Sequence, residues 1–472
     1  MRRRAPYLLP VATILFVVLP TLFFSDNLHS LDESTSFDRL MLGLRWLHPA
    51  EGMSRWDPNF PLGTALLMAV PHALGIEPVL WGRGLSLVCG LGACALVFWL
   101  VRRAAGEWAA GLAAAGMWLV PAVTRGAVVT GEEAPYLLML LGGLAALVLA
   151  VDEPEQRRRW MVTAAVAANA TVLVRLDAMT VVPLFGVLGV WLLGVRRGFL
   201  LGAACFVSTM VHLAVAWRMT GDPIGFARVA SMNIRQNADG FDFLGPAVLP
   251  LNVASEVGWA TSALAVFGAW WLWRERSETR VRGALGVALV WLFVVDFGLT
   301  VLGAMEARTM RYLVPLLVLA VASAAVGATR EGRPGAQRWV LPALFLFSLG
   351  SHFPTIVRQA QEERLPVGLV EMARWLGEQR GDDRPVVVGE QHPVFVVVGG
   401  LDHAATGVLP PGAPGNNRGD VVREVLERTG AGWIVRVEGN PTADAISAGA
   451  PGVTEAHRTV CCTVWRLPDR GD

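Results

Sequence analysis

Long apolar stretches broken by short clusters of charge set the rhythm of this chain. Runs of spanning length fall near 7–24, 79–101, 108–124, 134–151, 160–176, 178–194, 199–217, 255–273, 284–304, 312–328 and 338–354. About 20 apolar residues of helix cross the hydrocarbon core of a bilayer, so the pattern predicts eleven spans and a mainly α, polytopic bundle. The first run follows Met1-Arg2-Arg3-Arg4 and looks like a signal peptide. It is long for one, and no small-x-small cleavage site follows, so it reads as a retained first span. The stretch 61–76, PLGTALLMAVPHALGI, is also apolar, but it is short and contains Pro71. As a span it would move every later arginine cluster to the opposite side. It is expected to lie as a helix in the outer interface.

Charge supplies the orientation. Arg2–Arg4, Arg102/Arg103, Arg157–Arg159, Arg196/Arg197, Arg274/Arg276/Arg280/Arg282 and Arg330/Arg333/Arg338 fall on alternate turns. Positive loops stay in the cytoplasm, which puts the N-terminus inside and, after eleven spans, the C-terminus outside. Trp108, Trp160, Trp217, Trp259, Trp271, Trp273 and Trp339 sit at span ends, as an interfacial aromatic belt would.

The last outer segment changes character. A helical pattern at 366–380 is followed by PVVVG at 385–389, an apolar run at 393–398, a helical pattern at 419–429, WIVRV at 433–437 and TVCCTVWRL at 459–467. Strands alternating with helices predict a small α/β domain. The expected division is a membrane domain at 1–354, holding the first outer loop 25–78, and an extracytoplasmic domain at 355–472.

Composition narrows the chemistry. Only 17% of residues are charged and the net charge is +1. No basic face or stripe points to nucleic acid. The forty basic residues are all arginine, so a Walker-type phosphate loop and a lysine Schiff base are excluded. Cys89, Cys94 and Cys205 lie in apolar runs, and adjacent Cys461 and Cys462 read as strand residues rather than a vicinal disulfide.

Ionisable groups gather on the predicted outer side. The first outer loop holds Asp32-Glu33, eight residues beyond the first span. A carboxylate there can take a proton from an attacking hydroxyl, although acidic pairs in loops are usually only solvated. Glu132 and Glu133 open the fourth span, where they could support that site or simply complement the helix dipole. Arg175 and Asp177 lie between two apolar runs. Arg308 and Arg311, three apart, share a helix face suited either to phosphate or to interfacial anchoring. Asp296, inside the ninth span, carries no assignment.

The order of these segments resembles the GT-C superfamily of membrane glycosyltransferases, nearest the branch of protein mannosyltransferases and aminoarabinose lipid A transferases (glycosyltransferase family 39-like). The resemblance rests on Asp32-Glu33 after the first span, the Pro-Leu apolar helix at 61–76, Arg83 and Ser86 in GRGLS, Glu132, Glu133 and Pro135 in GEEAP, Arg175-Leu-Asp177-Ala, and Arg311-Tyr312-Leu313-Val314-Pro315. It covers about residues 1–354. His72 and Ala73 stand where aromatic residues often fall, and the Arg175 motif lacks its usual Pro or Gly.

The resemblance implies transfer of a sugar from a polyprenyl-phosphate donor to a lipid, glycan or protein acceptor outside a bacterial cytoplasmic membrane. It implies Asp32 as general base, with Glu33 orienting the acceptor or holding a divalent cation. Arg308, Arg311, Arg83 and Arg175 would meet the donor phosphate, and Glu132 and Glu133 would support the site. Membrane lipids are expected partners. A transporter or flippase of a lipid-linked substrate, or a non-catalytic binder, is the alternative.

Overall fold

The computed structural model describes residues 5–24, 33–47, 61–225, 245–276, 278–301, 313–329, 337–362, 367–379, 386–388, 395, 399, 407–408, 432–437, 454–460 and 462–466. These residues group into two compact units. One comprises the described parts of Met1–Phe24, Asp57–Thr64 and Arg83–Ala360. The other comprises those of Ser25–Trp56, Ala65–Gly82 and Gln361–Asp472.

Among the described residues, each of the eleven predicted runs is helical over most of its length. The first is α1 (Ala5–Thr13), a π-turn at Ile14–Val18 and α2 (Leu19–Phe24). Pro20 has no N–H for Phe16, and the ladder widens just ahead of it. There follow α3 (Glu33–Leu47), α4 (Leu62–Leu74), α5 (Pro78–Ala105), α6 (Glu107–Met117), α7 (Pro121–Val128), α8 (Glu133–Asp152), α9 (Arg157–Val174), α10 (Val182–Leu193), α11 (Val195–Cys205) and α12 (Val207–Thr220). After the next described segment come α13 (Gly245–Val257), α14 (Trp259–Arg274), α15 (Arg280–Val301), α16 (Val314–Thr329), α17 (Gln337–Gly350) and α18 (Phe353–Glu362).

Among the described residues, seven helices are long and apolar enough to cross a bilayer. An eighth is added if α6 and α7, bent by 69°, count as one span. The other expected spans fall short for physical reasons. Helix α9 opens on three arginines, and α14 and α16 have 16 residues each, about 24 Å of helix against a core of about 30 Å. The exterior is apolar: Phe347 is 77% exposed and Phe16 73%. Such side chains are at home against lipid, and the chain is a multi-pass membrane protein.

Helix α16 is buried from Val314 to Ala328, as expected of a helix that is apolar all round. It packs against α6 and α14. Close approach to α14 depends on small residues. A Cβ on Gly268 would run into the Ser323 carbonyl, and one on Gly327 into that of Leu264. The Ser323 hydroxyl donates to the Ala265 carbonyl at 2.9 Å.

In the second unit, α4 is the helix expected at 61–76, and α3 precedes it in the chain. Gly43 lies against the backbone of Met68, and the His72 Nε2 is 3.2 Å from the Leu40 carbonyl. Helix α19 (Val367–Glu378) packs on a five-stranded mixed sheet. Its strands are β1 (Val386–Val388), β2 (Gly407–Val408), β3 (Trp433–Val437), β4 (Thr454–Arg458) and β5 (Cys462–Arg466), in the order β2-β1-β3-β5-β4. β1 pairs in parallel with β2 and β3, and β5 is antiparallel to β3 and β4. Trp375 on α19 meets Trp433 edge-on at 5.9 Å and stacks on His457 at 4.6 Å. The predicted strands at 385–389, 433–437 and 459–467 are present. β2 and β4 were not foreseen: one is two residues long, and the other, TEAHR, is a mostly exposed polar edge without an apolar period. The 419–429 helical pattern lies outside the described residues, and of 393–398 only Phe395 is described.

Candidate functional site

Helices α5, α8, α9 and α15 converge on a buried set of charged side chains in the first unit. The set begins at the turn between α7 and α8. Arg83, 8% exposed, donates from Nε to the Val128 carbonyl at 2.9 Å and from Nη2 to the Leu22 carbonyl at 3.5 Å. These carbonyls end α7 and lie in the last turn of α2, where helices leave acceptors unsatisfied. One turn further along α5, the Ser86 hydroxyl accepts from the Gly131 N–H at 3.2 Å. Two neighbouring positions on α5 therefore fix the 128–131 turn that delivers Glu132 and Glu133.

Glycines make room for Glu133 there. A Cβ on Gly131 would strike the Glu133 carboxylate, and one on Gly126 would strike its Cβ. The Glu133 side chain is 7% exposed and accepts from Arg175 Nη1 at 3.3 Å.

Arg175 is the hub. It leaves α9 in an extended conformation, φ −143° and ψ 128°, so the chain turns into the 3-10 segment Leu176–Thr180 and swings Asp177 back toward it. Nε and Nη2 donate to the two Asp177 oxygens, each at 3.0 Å. This is the fork-to-fork geometry that distinguishes arginine from lysine. The guanidinium also lies 5.6 Å from the centre of the Tyr136 ring. Its side chain is 3% exposed, whereas Asp177 keeps 32%. Glu132 is within electrostatic reach of Arg175, and Asp296 of both Arg175 and Asp177. Asp296 projects from α15 and is 8% exposed. The Thr64 hydroxyl donates to the Val174 carbonyl at 3.0 Å, tying the start of α4 to the hub.

Four residues read from sequence, Arg83, Glu132, Glu133 and Arg175, are thus brought into one neighbourhood. All three guanidinium nitrogens of Arg175 are committed to carboxylates, and Arg83 donates to carbonyls at two helix ends. Glu33 opens α3, and its side chain, like Asp32, Arg308 and Arg311, lies outside the described residues. Sequence reasoning named Asp177 and Asp296 without assigning them. A carboxylate in an apolar span was the available signal for Asp296, but which charge it faced could not be read. Among the described residues no group of three or more His, Cys, Asp or Glu is placed to hold a metal ion.

Solved structures share the overall fold of this helical bundle. ArnT from Cupriavidus metallidurans bound to undecaprenyl phosphate superposes with a TM-score of 0.63 over 98% of both chains, at 14% identity. The Archaeoglobus fulgidus oligosaccharyltransferase in its apo form superposes at 0.54, over 90% of this chain and 69% of that one, at 12% identity. Mycobacterial arabinofuranosyltransferase AftD gives 0.55 over 100% of this chain but 42% of its own, at 14% identity. These are GT-C superfamily glycosyltransferases, and this chain has the GT-C fold. No family model matches the sequence, and no curated protein matches it significantly.

Proposed function

We propose that this protein is a membrane glycosyltransferase that moves a sugar from a polyprenyl-phosphate donor to an acceptor on the outer side of a bacterial cytoplasmic membrane. The observation that carries the reading is the end-to-end similarity to ArnT, whose structure was determined with undecaprenyl phosphate bound. The N-terminus is inside and the C-terminal domain outside, a reading that the arginine clusters support. The acceptor is a lipid, glycan or protein, and the 355–472 domain helps select it.

The reaction is a single displacement with inversion. The acceptor oxygen bonds to the anomeric carbon as the bond from that carbon to the phosphate oxygen breaks. The electron pair leaves with polyprenyl phosphate. The acceptor's proton passes to Asp32, and Glu33 orients the acceptor or contributes to a divalent-cation site. Arg308 and Arg311 stabilise the departing phosphate. The Arg175 hub acts one layer back. It holds Glu133 and Asp177 in fixed positions, and partly exposed Asp177 is the member of the hub open to the reaction space.

The test uses the purified full-length protein in lipid nanodiscs with a labelled polyprenyl-phosphate sugar and extracted envelope acceptors. Transfer and release of polyprenyl phosphate are expected without any ion gradient. A gradient requirement, or no release, would support the transporter reading instead. Asp32→Asn should slow transfer by about 10²- to 10⁴-fold. Near-wild-type turnover by that variant would remove Asp32 from the mechanism.

A further inference from the structure

Far from the hub, the N-terminal half of α9 and the length of α11 line an open groove of about 440 Å³. Helix α9 has 18 residues, so its first turn and Arg175 stand about 27 Å apart. Arg157, Arg158 and Arg197 line the mouth, with Glu155 as the acidic residue among them. Arg157 donates to the Ala150 carbonyl at 3.1 Å. Arg158 and Arg197 are both exposed, and make no ion pair or hydrogen bond with another described residue.

Below the mouth the lining turns apolar. Met161, Val162 and Ala165 follow the arginines at helical spacing on α9, as Leu200, Leu201 and Ala204 do on α11. One turn past Ala165 the groove closes. Asn169 donates to the Ala204 carbonyl at 2.8 Å and accepts from the Ser208 N–H at 2.6 Å. From Arg158 to Ala165 the groove is about 10 Å deep. Both helices also direct their N-termini at the mouth, where the backbone favours an anion.

We propose that this groove binds an anionic phospholipid of the surrounding bilayer, with its phosphate between Arg158 and Arg197 and the upper part of one acyl chain along Met161 and Leu201. The basic mouth answers a negative headgroup, and the apolar wall answers a chain that a free ion would lack. By the positive-inside distribution, this end faces the cytoplasmic leaflet. The site is separate from the proposed transfer chemistry and does not depend on it.

Native mass spectrometry of the full-length protein, delipidated and titrated with phosphatidylglycerol or phosphatidylcholine, tests the proposal. Phosphatidylglycerol should be retained in preference. The double variant Arg158→Gln/Arg197→Gln should bind it about thirtyfold more weakly, which is about 1 kcal/mol for each arginine near an anionic surface. Val162→Trp keeps the charges but fills the groove, and should also weaken binding. Arg274→Gln/Arg276→Gln removes as much charge from the same predicted face, away from the cavity, and should leave binding unchanged. Equal retention of the two lipids, wild-type binding by the double variant, or loss of binding in the Arg274/Arg276 control would each overturn the proposal. So would inorganic phosphate competing as well as the lipid does.

Discussion

Replacing Arg175 by methionine tests whether the hub is an electrostatic unit. Methionine keeps an unbranched chain and deletes the guanidinium that Glu133 and Asp177 share. Breaking a buried pair by removing one partner costs about 3–5 kcal/mol, because the other charge is left uncompensated. Here the burden falls on Glu133, whose side chain is 7% exposed. Asp177, at 32%, regains some hydration. That places Arg175→Met near the lower end, about 3 kcal/mol. Arg175→Lys keeps the charge but cannot present parallel N–H groups to Asp177 while reaching Glu133, so an intermediate loss of about 1–2 kcal/mol is expected. Glu133→Gln keeps an acceptor oxygen and leaves Asp177 to balance the arginine, for about 1 kcal/mol. Because membrane proteins commonly unfold irreversibly, thermal unfolding in nanodiscs should be compared at one fixed scan rate. The expected order of stability is wild type, Glu133→Gln, Arg175→Lys, Arg175→Met. In a Glu133→Leu background Arg175→Met should cost less than in the wild type, since fewer orphaned charges remain. A wild-type unfolding temperature for Arg175→Met, or strictly additive double variants, would refute the reasoning.

Other outcomes follow from the same geometry. Asp296→Asn replaces a buried carboxyl within electrostatic reach of Asp177 and should hold or raise the unfolding temperature while transfer falls, the pattern of a group kept for function; a loss of both would make Asp296 structural. Gly268→Val should destabilise the bundle by more than about 2 kcal/mol, because helix α14 cannot retreat from Ser323 without opening the core; unchanged thermal unfolding would refute that packing. Ser86→Ala removes the acceptor of the Gly131 N–H and should cost about 1 kcal/mol, read from the same melts, with a drop in transfer if the 128–131 turn positions Glu133. Leu376→Ala in α19, at 3% exposure, should lower stability by about 2–5 kcal/mol, and limited proteolysis should then cut the 361–472 segment first.

Much of the fold was legible because a bilayer asks for a single, strong signal. Backbone groups in lipid must be satisfied within the helix, so the apolar runs became helical where expected, although 108–124 breaks into α6 and α7 and three runs fall short of a full span. The alternation in WIVRV and the apolar PVVVG run likewise announced β3 and β1. Strand β4 gave no such signal, because its residues take their place from pairing with β5 rather than from burial of their own.

The candidate site divides in the same way. The sequence by itself determined which residues were costly in an apolar chain, and Arg83, Glu132, Glu133, Arg175 and Asp296 stand out for that reason. Only the tertiary structure decided what each one faces. Glu133 and Arg175 are 42 positions apart, and nothing in their local spacing sets their distance. It follows from the packing of α8 against α9, from two glycines that admit a carboxylate, and from one extended residue that turns Asp177 back onto the arginine that precedes it. Burial strengthens charge interactions by lowering the local dielectric, so the same residues that read as scattered charges along the chain become a single coupled group in the folded protein.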